Sequence, residues 1–189
     1  LFYTGVRYDT PDPENTNCCL DDKFTAAQLH ITSGDGWQFD NFDGKQTVIP
    51  PIEDKTIGDR NHTRDPKVWQ GRDGRFYMVL GSTVDGEGRL LFYRSDDLEC
   101  WEYAGFTKSE NLGWMWECPD YFEADGKGVL IFSPMGLEAG NQTVCTFAEF
   151  DERSCSMEIG KDCRFVDYGL DLYAPQSTVD QDGRRVVAF

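Results

Sequence analysis

The sequence predicts an all-β fold, a β-propeller of which the chain holds about three blades. Aromatic residues make up 14% of the chain, and they are enriched in strands. Nineteen glycines and eight prolines lie between short apolar runs, which is typical of short strands joined by many turns. A unit of about 50 residues also recurs, which is the length of one four-stranded propeller blade.

The repeat is clearest at three prolines. Pro66 and Pro119 are 53 positions apart, and Pro119 and Pro175 are 56 apart. Each is followed six or seven residues later by Asp-Gly and then by an apolar run. Asp-Gly between apolar runs predicts a hairpin in which both turn residues have positive φ. A Ser-x-Asp element at 33–39 and 95–101 predicts the turn between the third and fourth strands of a unit.

The register of the repeat divides the chain into units. We expect residues 1–49 to form the rear of one blade, 64–116 and 117–172 to form whole blades, and 173–189 to form the front of the next. Propellers close with at least about four blades, so the chain is expected to be incomplete. Association with another chain that covers the open blade edges is the alternative.

Composition excludes several kinds of partner. A formal net charge of −16 disfavours nucleic acid and anionic membranes, and no apolar run is long enough to span a bilayer. A neutral ligand such as a small carbohydrate is compatible with that charge. Seven cysteines without C-x-x-C spacing, far from the two histidines, predict free thiols in a reducing cytoplasm. No metal ion or organic cofactor is implied.

The candidate site residues directly precede the three prolines. They are Arg64-Asp65, Glu117-Cys118 and Tyr173-Ala174. Proline restricts the preceding residue to an extended conformation, which would fix the direction of these side chains. In a propeller the first strand of each blade lines the axis, so we expect them to share one cavity. Two carboxylates and a cation there predict a glycosidase or a sugar-binding site.

The two carboxylates have different surroundings in the sequence. Glu117 follows Trp114 and Trp116, and a carboxyl against aromatic rings is harder to ionise, as a general acid requires. The same tryptophans fit ordinary packing between blades equally well. Asp65 adjoins Arg64, whose guanidinium would favour the ionised carboxylate. A purely structural ion pair is the alternative there.

Three segments resemble successive signatures of one enzyme family. Residues 64–69 (RDPKVW), 115–122 (MWECPDYF) and 168–176 are similar to motifs of glycoside hydrolase family 32, as are the opening residues LFYTG. That family contains invertases, sucrose-6-phosphate hydrolases, inulinases and levanases. The resemblance covers the whole chain in order. It implies a five-bladed β-propeller that cleaves β-fructofuranosides with retention.

The resemblance also implies roles for individual residues. Glu117 corresponds to the general acid/base, and Asp65 to the transition-state stabiliser rather than the nucleophile. Arg64 would contact fructosyl hydroxyls together with Asp65. Cys118 would tune the acid/base, and Tyr173 would line the pocket.

One motif of the family is absent from these residues. The family's nucleophile is an Asp in an Asn-Asp-Pro-Asn-Gly-like motif, and Asp12-Pro13-Glu14-Asn15 is only a partial likeness in a polar loop. We therefore expect the chain alone to be a nearly inactive fragment. Sucrose or sucrose 6-phosphate is expected ahead of long fructans. The alternatives are a non-catalytic carbohydrate-binding propeller and a propeller glycosidase of another specificity.

Overall fold

A computed structural model describes residues 1–21, 23–39, 43–140, 142–169 and 171–189. Over these ranges the chain forms fourteen β-strands and no helix, which confirms the all-β prediction. Accordingly, none of the described segments forms a helix that could cross a bilayer. The strands form four separate antiparallel sheets that follow one another along the chain.

The first two sheets carry residues from the N-terminal half. The first sheet has the order β1-β2-β3 and the second the order β4-β5-β6-β7. Their strands are β1 (Phe2–Tyr8), β2 (Phe24–His30), β3 (Gln46–Ile49), β4 (Arg64–Gln70), β5 (Phe76–Val84), β6 (Glu87–Ser95) and β7 (Glu102–Lys108). In both sheets, strands that are consecutive in sequence pair with each other.

The third sheet has the order β11-β10-β9-β8, with β12 also paired to β10, and the fourth is the hairpin β13-β14. Their strands are β8 (Met115–Ala124), β9 (Lys127–Met135), β10 (Val144–Asp151), β11 (Ser156–Ile159), β12 (Arg164–Phe165), β13 (Gln176–Val179) and β14 (Arg185–Ala188). The strands β4, β8 and β13 each start their sheet in sequence order.

The predicted boundary between residues 116 and 117 falls inside β8. Met115 pairs with Met135, and Trp116 pairs with Pro134, before Glu117 pairs with Ser133. The third sheet therefore begins at least two residues earlier than the proline repeat indicated, because strand pairing continues in front of the proline.

The main apolar core lies between the second and third sheets. Trp116 is fully buried, and its ring lies 4.8 Å from that of Phe132. Burying one such side chain contributes about 1.5–3 kcal/mol. Gly81 of β5 makes the close approach possible, because a Cβ there would lie 1.7 Å from the carbonyl oxygen of Trp116. The sheets therefore pack at a distance that only glycine permits.

The predicted turns are partly as expected. Asp125-Gly126 has positive φ at both residues, 50° and 74°. In Asp73-Gly74 and Asp182-Gly183 only the glycine has positive φ, so the prediction for the aspartates is wrong. Those two turns are longer, and backbone hydrogen bonds close them across residues 71–75 and 180–184.

The Ser-x-Asp turns share one hydrogen-bond pattern. Asp35 accepts from the backbone N–H groups of the second and third residues after it, and Asp97 does the same. The second of these turns joins β6 to β7, the third and fourth strands of their sheet, as predicted.

Candidate active site

The site begins at bulges in two strands. On β4 the pairing passes from Arg64↔Gly81 to Lys67↔Val79, so β4 has one extra residue there. On β8 it passes from Glu117↔Ser133 to Asp120↔Ile131, again with one extra residue. Such bulges bend a strand and change the direction of its side chains. Both lie at the motifs that the sequence singled out.

The residue before each proline has a left-handed backbone. The φ angles are 63° at Asp65, 49° at Cys118 and 57° at Ala174. The prediction of an extended conformation is therefore wrong at all three positions. Left-handed φ costs a non-glycine residue about 1–3 kcal/mol, so contacts elsewhere must hold these residues in place. Asp65 and Cys118 lie within the bulges of β4 and β8, so the left-handed residues coincide with the places where each strand has one extra residue.

The side chain of Glu117 joins three sheets. Its Oε1 accepts hydrogen bonds from Arg64, at 2.5 Å from Nη2 and 3.2 Å from Nε. Its Oε2 accepts a hydrogen bond from the hydroxyl of Tyr173, which lies just before β13. The structure thus brings Arg64, Glu117 and Tyr173 together. The Arg64 and Glu117 side chains are only 20% and 16% exposed, so their ion pair is largely shielded from water.

Asp65 lies against the same cluster and contacts the first sheet. Its Oδ2 accepts from the backbone N–H of Cys118 at 2.9 Å and lies 3.8 Å from Nε of Arg64. Its own N–H donates to Oγ1 of Thr4 on β1 at 2.9 Å. The Thr4 hydroxyl in turn donates to Oε1 of Gln28 at 2.9 Å. Sequence reasoning missed this support, because a threonine and a glutamine within strands carry no distinctive signal.

Burial has the largest effect on the pKa of Asp65. Its pKa is raised, first because the carboxyl is desolvated, although the hydrogen bond from Cys118 and the charge of Arg64 act in the opposite direction. The charge of Arg64 favours the ionised carboxylate, as its position next to Asp65 predicts. The charge contacts are present, but the loss of water outweighs them.

Cys118 and Tyr173 both retain their protons at neutral pH. Burial raises the pKa of the Cys118 thiol, and the negative charge of Asp65 adds to the effect. The thiol is thus a poor nucleophile. Both the thiol and the backbone N–H of Cys118 donate to Oδ2 of Asp65, at 3.5 Å and 2.9 Å. Burial likewise raises the pKa of Tyr173, followed by its hydrogen bond to Glu117. The phenol therefore remains a hydrogen-bond donor.

His62 also belongs to the cluster, although sequence reasoning considered it only as a metal ligand. Its Nδ1 lies 3.1 Å from Nη1 of Arg64. Because arginine only donates, Nδ1 must be the acceptor, and the ring is therefore neutral with its proton on Nε2. Burial lowers the pKa of His62, and the positive charge of Arg64 lowers it further. Its position two residues before Arg64 is the one signal that could have identified it.

The two tryptophans that precede Glu117 have different surroundings. Trp116 packs into the core, and its Nε1 donates to the carbonyl of Leu112. The Trp114 ring contacts His62 edge-on, with centroids 5.2 Å apart. The contacts of the Glu117 carboxyl are polar and come from Arg64 and Tyr173. The packing alternative is therefore the correct one for Trp116.

The remaining candidate ligands and nucleophiles lie apart from this cluster. Asp12 lies in an exposed turn between β1 and β2, where it accepts from the N–H of Glu14. All seven cysteines lie within the described residues and are free thiols. In the described part of the chain, no three His, Cys, Asp or Glu side chains are grouped to hold a metal ion.

Comparison with known proteins places this geometry in a family. The model for the glycosyl hydrolases family 32 N-terminal domain matches residues 1–189. The sucrose-6-phosphate hydrolase of Bacillus subtilis (strain 168) is 34% identical over 99% of this chain and 38% of its own length. That of Vibrio alginolyticus is 38% identical over 67% of this chain and 28% of its own.

A solved structure supports the same assignment. The Bombyx mori GH32 beta-fructofuranosidase matches with a TM-score of 0.78 and 33% identity, over 98% of this chain and 39% of that protein. The chain thus spans about two fifths or less of the length of these relatives. Its all-β sheets form a partial β-propeller, as predicted. The chain belongs to glycosyl hydrolase family 32 and matches that family's N-terminal domain along its whole length.

Proposed function

We propose that these residues form part of a glycosidase that cleaves β-D-fructofuranosides, of the sucrose or sucrose 6-phosphate type, with retention of configuration. Glu117 acts as the general acid/base and Asp65 as the transition-state stabiliser. Arg64 and Tyr173 bind the substrate around them. The observation that supports this most is the meeting of Arg64, Glu117 and Tyr173 from three sheets, with Asp65 beside them.

The proton transfers follow the two steps of a retaining glycosidase. Glu117 donates a proton to the glycosidic oxygen as its bond to the fructosyl carbon breaks, while a nucleophilic carboxylate bonds to that carbon. Glu117 then accepts a proton from the water that attacks the same carbon and displaces the carboxylate. Arg64 must exchange Glu117 for fructosyl hydroxyls when substrate binds, which leaves Oε1 free to carry the proton.

Asp65 and its neighbours suit charge stabilisation. The fructosyl unit becomes positively charged in the transition state, and a nearby carboxylate would interact more favourably with it than with the neutral substrate. The Cys118 N–H donates to the Asp65 carboxylate, and the Thr4 hydroxyl accepts from the Asp65 backbone N–H, so both the side chain and the backbone of Asp65 are held in place. Cys118 therefore acts through its backbone on Asp65, in addition to its place beside Glu117.

The 189 residues lack the family's nucleophile motif, and we propose that they are inactive by themselves. No fructosyl ester can form without that carboxylate, so the retaining route loses its first intermediate. Fructose release from sucrose by residues 1–189 alone, at a rate close to that of the full-length protein, would overturn this part of the proposal. A cytoplasmic location and association with another chain stay predictions.

The test of the catalytic role uses the full-length protein that contains these residues. Fructose release is measured from sucrose, sucrose 6-phosphate, inulin and levan. The variant Glu117→Gln is expected to lower kcat/KM on the best substrate about 10²–10⁴-fold. Glu123→Gln is the matched control, because Glu123 is an exposed carboxylate further along β8.

Other outcomes separate the alternatives. An unchanged rate in Glu117→Gln rejects the acid/base assignment. Binding of sucrose without turnover by the unaltered full-length protein favours a non-catalytic carbohydrate-binding propeller. Turnover of other glycosides but of no fructoside favours a propeller glycosidase of another specificity.

A further inference from the structure

A second polar cluster lies further along the strands that carry the candidate active site. Lys67 and Asp120 follow Pro66 and Pro119, and Ser177 lies two residues after the third proline. The Asp120 side chain is 0% exposed. Its Oδ2 accepts from Nζ of Lys67 at 2.9 Å and from the N–H of Ser177, and its Oδ1 accepts from Oγ of Ser177 at 3.0 Å.

Like the candidate site, this cluster connects three sheets. Lys67 is on β4, Asp120 on β8 and Ser177 on β13. Nζ of Lys67 also donates to the carbonyl of Ser177 at 2.7 Å, which closes a ring of contacts between the strands. All three residues belong to the strands that start their sheets, so the contacts fix the spacing of those strands.

Each member is linked to a site residue by a short, stiff segment. Lys67 lies three residues after Arg64, and Asp120 three residues after Glu117, with a proline inside each segment. Proline fixes φ and so stiffens each segment. A shift of Lys67 or Asp120 would therefore also move the site residue at the other end of the same segment. The bulges remove the regular ladder at these segments. Contacts between sheets must therefore hold the site residues at their mutual distances.

Stability alone gives little reason for a buried ion pair in this place. Removing two charges from water costs several kcal/mol per ion, and well-packed apolar residues are often equally stable or more so. Directed hydrogen bonds fix geometry in a way that apolar packing does not. The position of the cluster suits that purpose, because Lys67 and Asp120 lie three residues further along the strands that carry Arg64 and Glu117.

We infer that Asp120 is a positioning residue. Through Lys67 and Ser177 it holds the three strands at the spacing at which Arg64, Glu117 and Tyr173 meet. This inference rests on the proposed function, because Glu117 must be the general acid for its position to matter.

The experiment compares two substrates in the full-length protein. Sucrose has a poor leaving group that requires protonation, whereas a nitrophenyl β-D-fructofuranoside has a leaving group that departs without it. The ratio kcat/KM reports on steps up to the cleavage of the glycosidic bond. A misplaced acid therefore lowers kcat/KM for sucrose selectively, while a loss of folded protein lowers both values equally.

Asp120→Asn is expected to lower kcat/KM for sucrose about 10–100-fold, the cost of a displacement of about 1 Å. The value for the nitrophenyl substrate should fall less than about threefold. Ser177→Ala keeps the backbone N–H and removes one hydrogen bond, so it should give a smaller effect with the same selectivity. If Asp120→Asn does not fold, Ser177→Ala alone is used to test the inference.

Two further variants make the outcome decisive. Tyr77→Phe removes a buried hydroxyl that donates to Asp73. It should change kcat/KM by the same factor for both substrates. Glu117→Gln should show the same selectivity as Asp120→Asn. If Glu117→Gln is selective and the Asp120 and Ser177 variants are not, the positioning role is rejected and the proposed function stands. If Glu117→Gln itself is not selective, both are rejected.

Discussion

The apolar core and the candidate active site use adjacent residues of one strand in opposite ways. On β8, Trp116 is fully buried against Phe132, and the next residue, Glu117, binds Arg64 and Tyr173. Successive side chains of a strand point to opposite faces, so this separation follows from strand geometry. The core side holds the sheets together, and the other side carries the candidate active site.

The two regions also differ in backbone regularity. Trp116 is paired within the ladder of β8 and β9, whereas Cys118 lies in a bulge with positive φ. The core is stabilised by apolar burial, which is not directional. The site depends on directed hydrogen bonds between sheets, each worth about 1 kcal/mol. Substitutions should therefore affect stability on one side of the strand and activity on the other.

The largest expected effect comes from removing the core residue. Trp116→Ala should lower the free energy of unfolding by about 3–5 kcal/mol, because it leaves a large cavity between the second and third sheets. Glu117→Gln should lower it by less, because glutamine keeps one oxygen that can accept from Arg64, while it lowers kcat/KM about 10²–10⁴-fold. Urea denaturation of the full-length protein measures both.

Trp37→Ala is the control, because Trp37 is 90% exposed. Its replacement should change the free energy of unfolding by no more than about 0.5 kcal/mol. Equal destabilisation by Trp116→Ala and Glu117→Gln would contradict the separation of the two faces.

A smaller effect is expected where the backbone is left-handed. Ala174 is exposed and has a φ of 57°, so a substitution there tests conformation rather than packing. Ala174→Val should destabilise the protein by about 1–2 kcal/mol, because β-branched side chains disfavour this region. Ala174→Gly should be close to neutral, since it relieves strain but adds freedom to the unfolded chain.

Ala124→Val provides the comparison, because Ala124 is an exposed residue of β8 where a β-branched side chain is tolerated. Thermal unfolding measures all three variants. A Val at position 174 that is as stable as one at position 124 would show that the left-handed backbone carries no strain.

Much of the fold could be predicted because its signals are local. The Pro and Asp-Gly repeat places the strands, and the shared register of Arg64, Glu117 and Tyr173 predicts that they converge. The left-handed φ at Asp65 could not be predicted, because a bulge depends on the pairing with β5 and not on Pro66 alone. The burial of Asp120 was equally hidden, since three sheets must meet before a polar residue after a proline becomes enclosed.

The smallest effect concerns the charge of Asp65. Burial raises its pKa above the value in the unfolded chain, so the folded state binds the proton more tightly. The associated stability is fully present below the unfolded pKa and is lost as the pH rises through the folded pKa. At pH 7 the ionised carboxylate is therefore a cost to folding, and Asp65→Asn, which can still accept from Cys118, removes it.

We expect Asp65→Asn to raise the Tm of residues 1–189 at pH 7 by about 2–4 °C, the shift of about 1 kcal/mol in a chain of this size, and to abolish the activity of the full-length protein. The gain should shrink as the pH falls through the folded pKa and vanish below about 4, the unfolded value, where both forms are neutral. Asp180→Asn should lower Tm at pH 7, because backbone hydrogen bonds from Arg184 and Asp182 lower the pKa of Asp180 and its charge stabilises the fold at that pH. If Asp65→Asn instead lowers Tm at pH 7, its contacts with Arg64 and Cys118 outweigh desolvation. The site would then be stabilised by its charges, as the core is by its apolar residues, and the contrast between the two regions would fail at this residue.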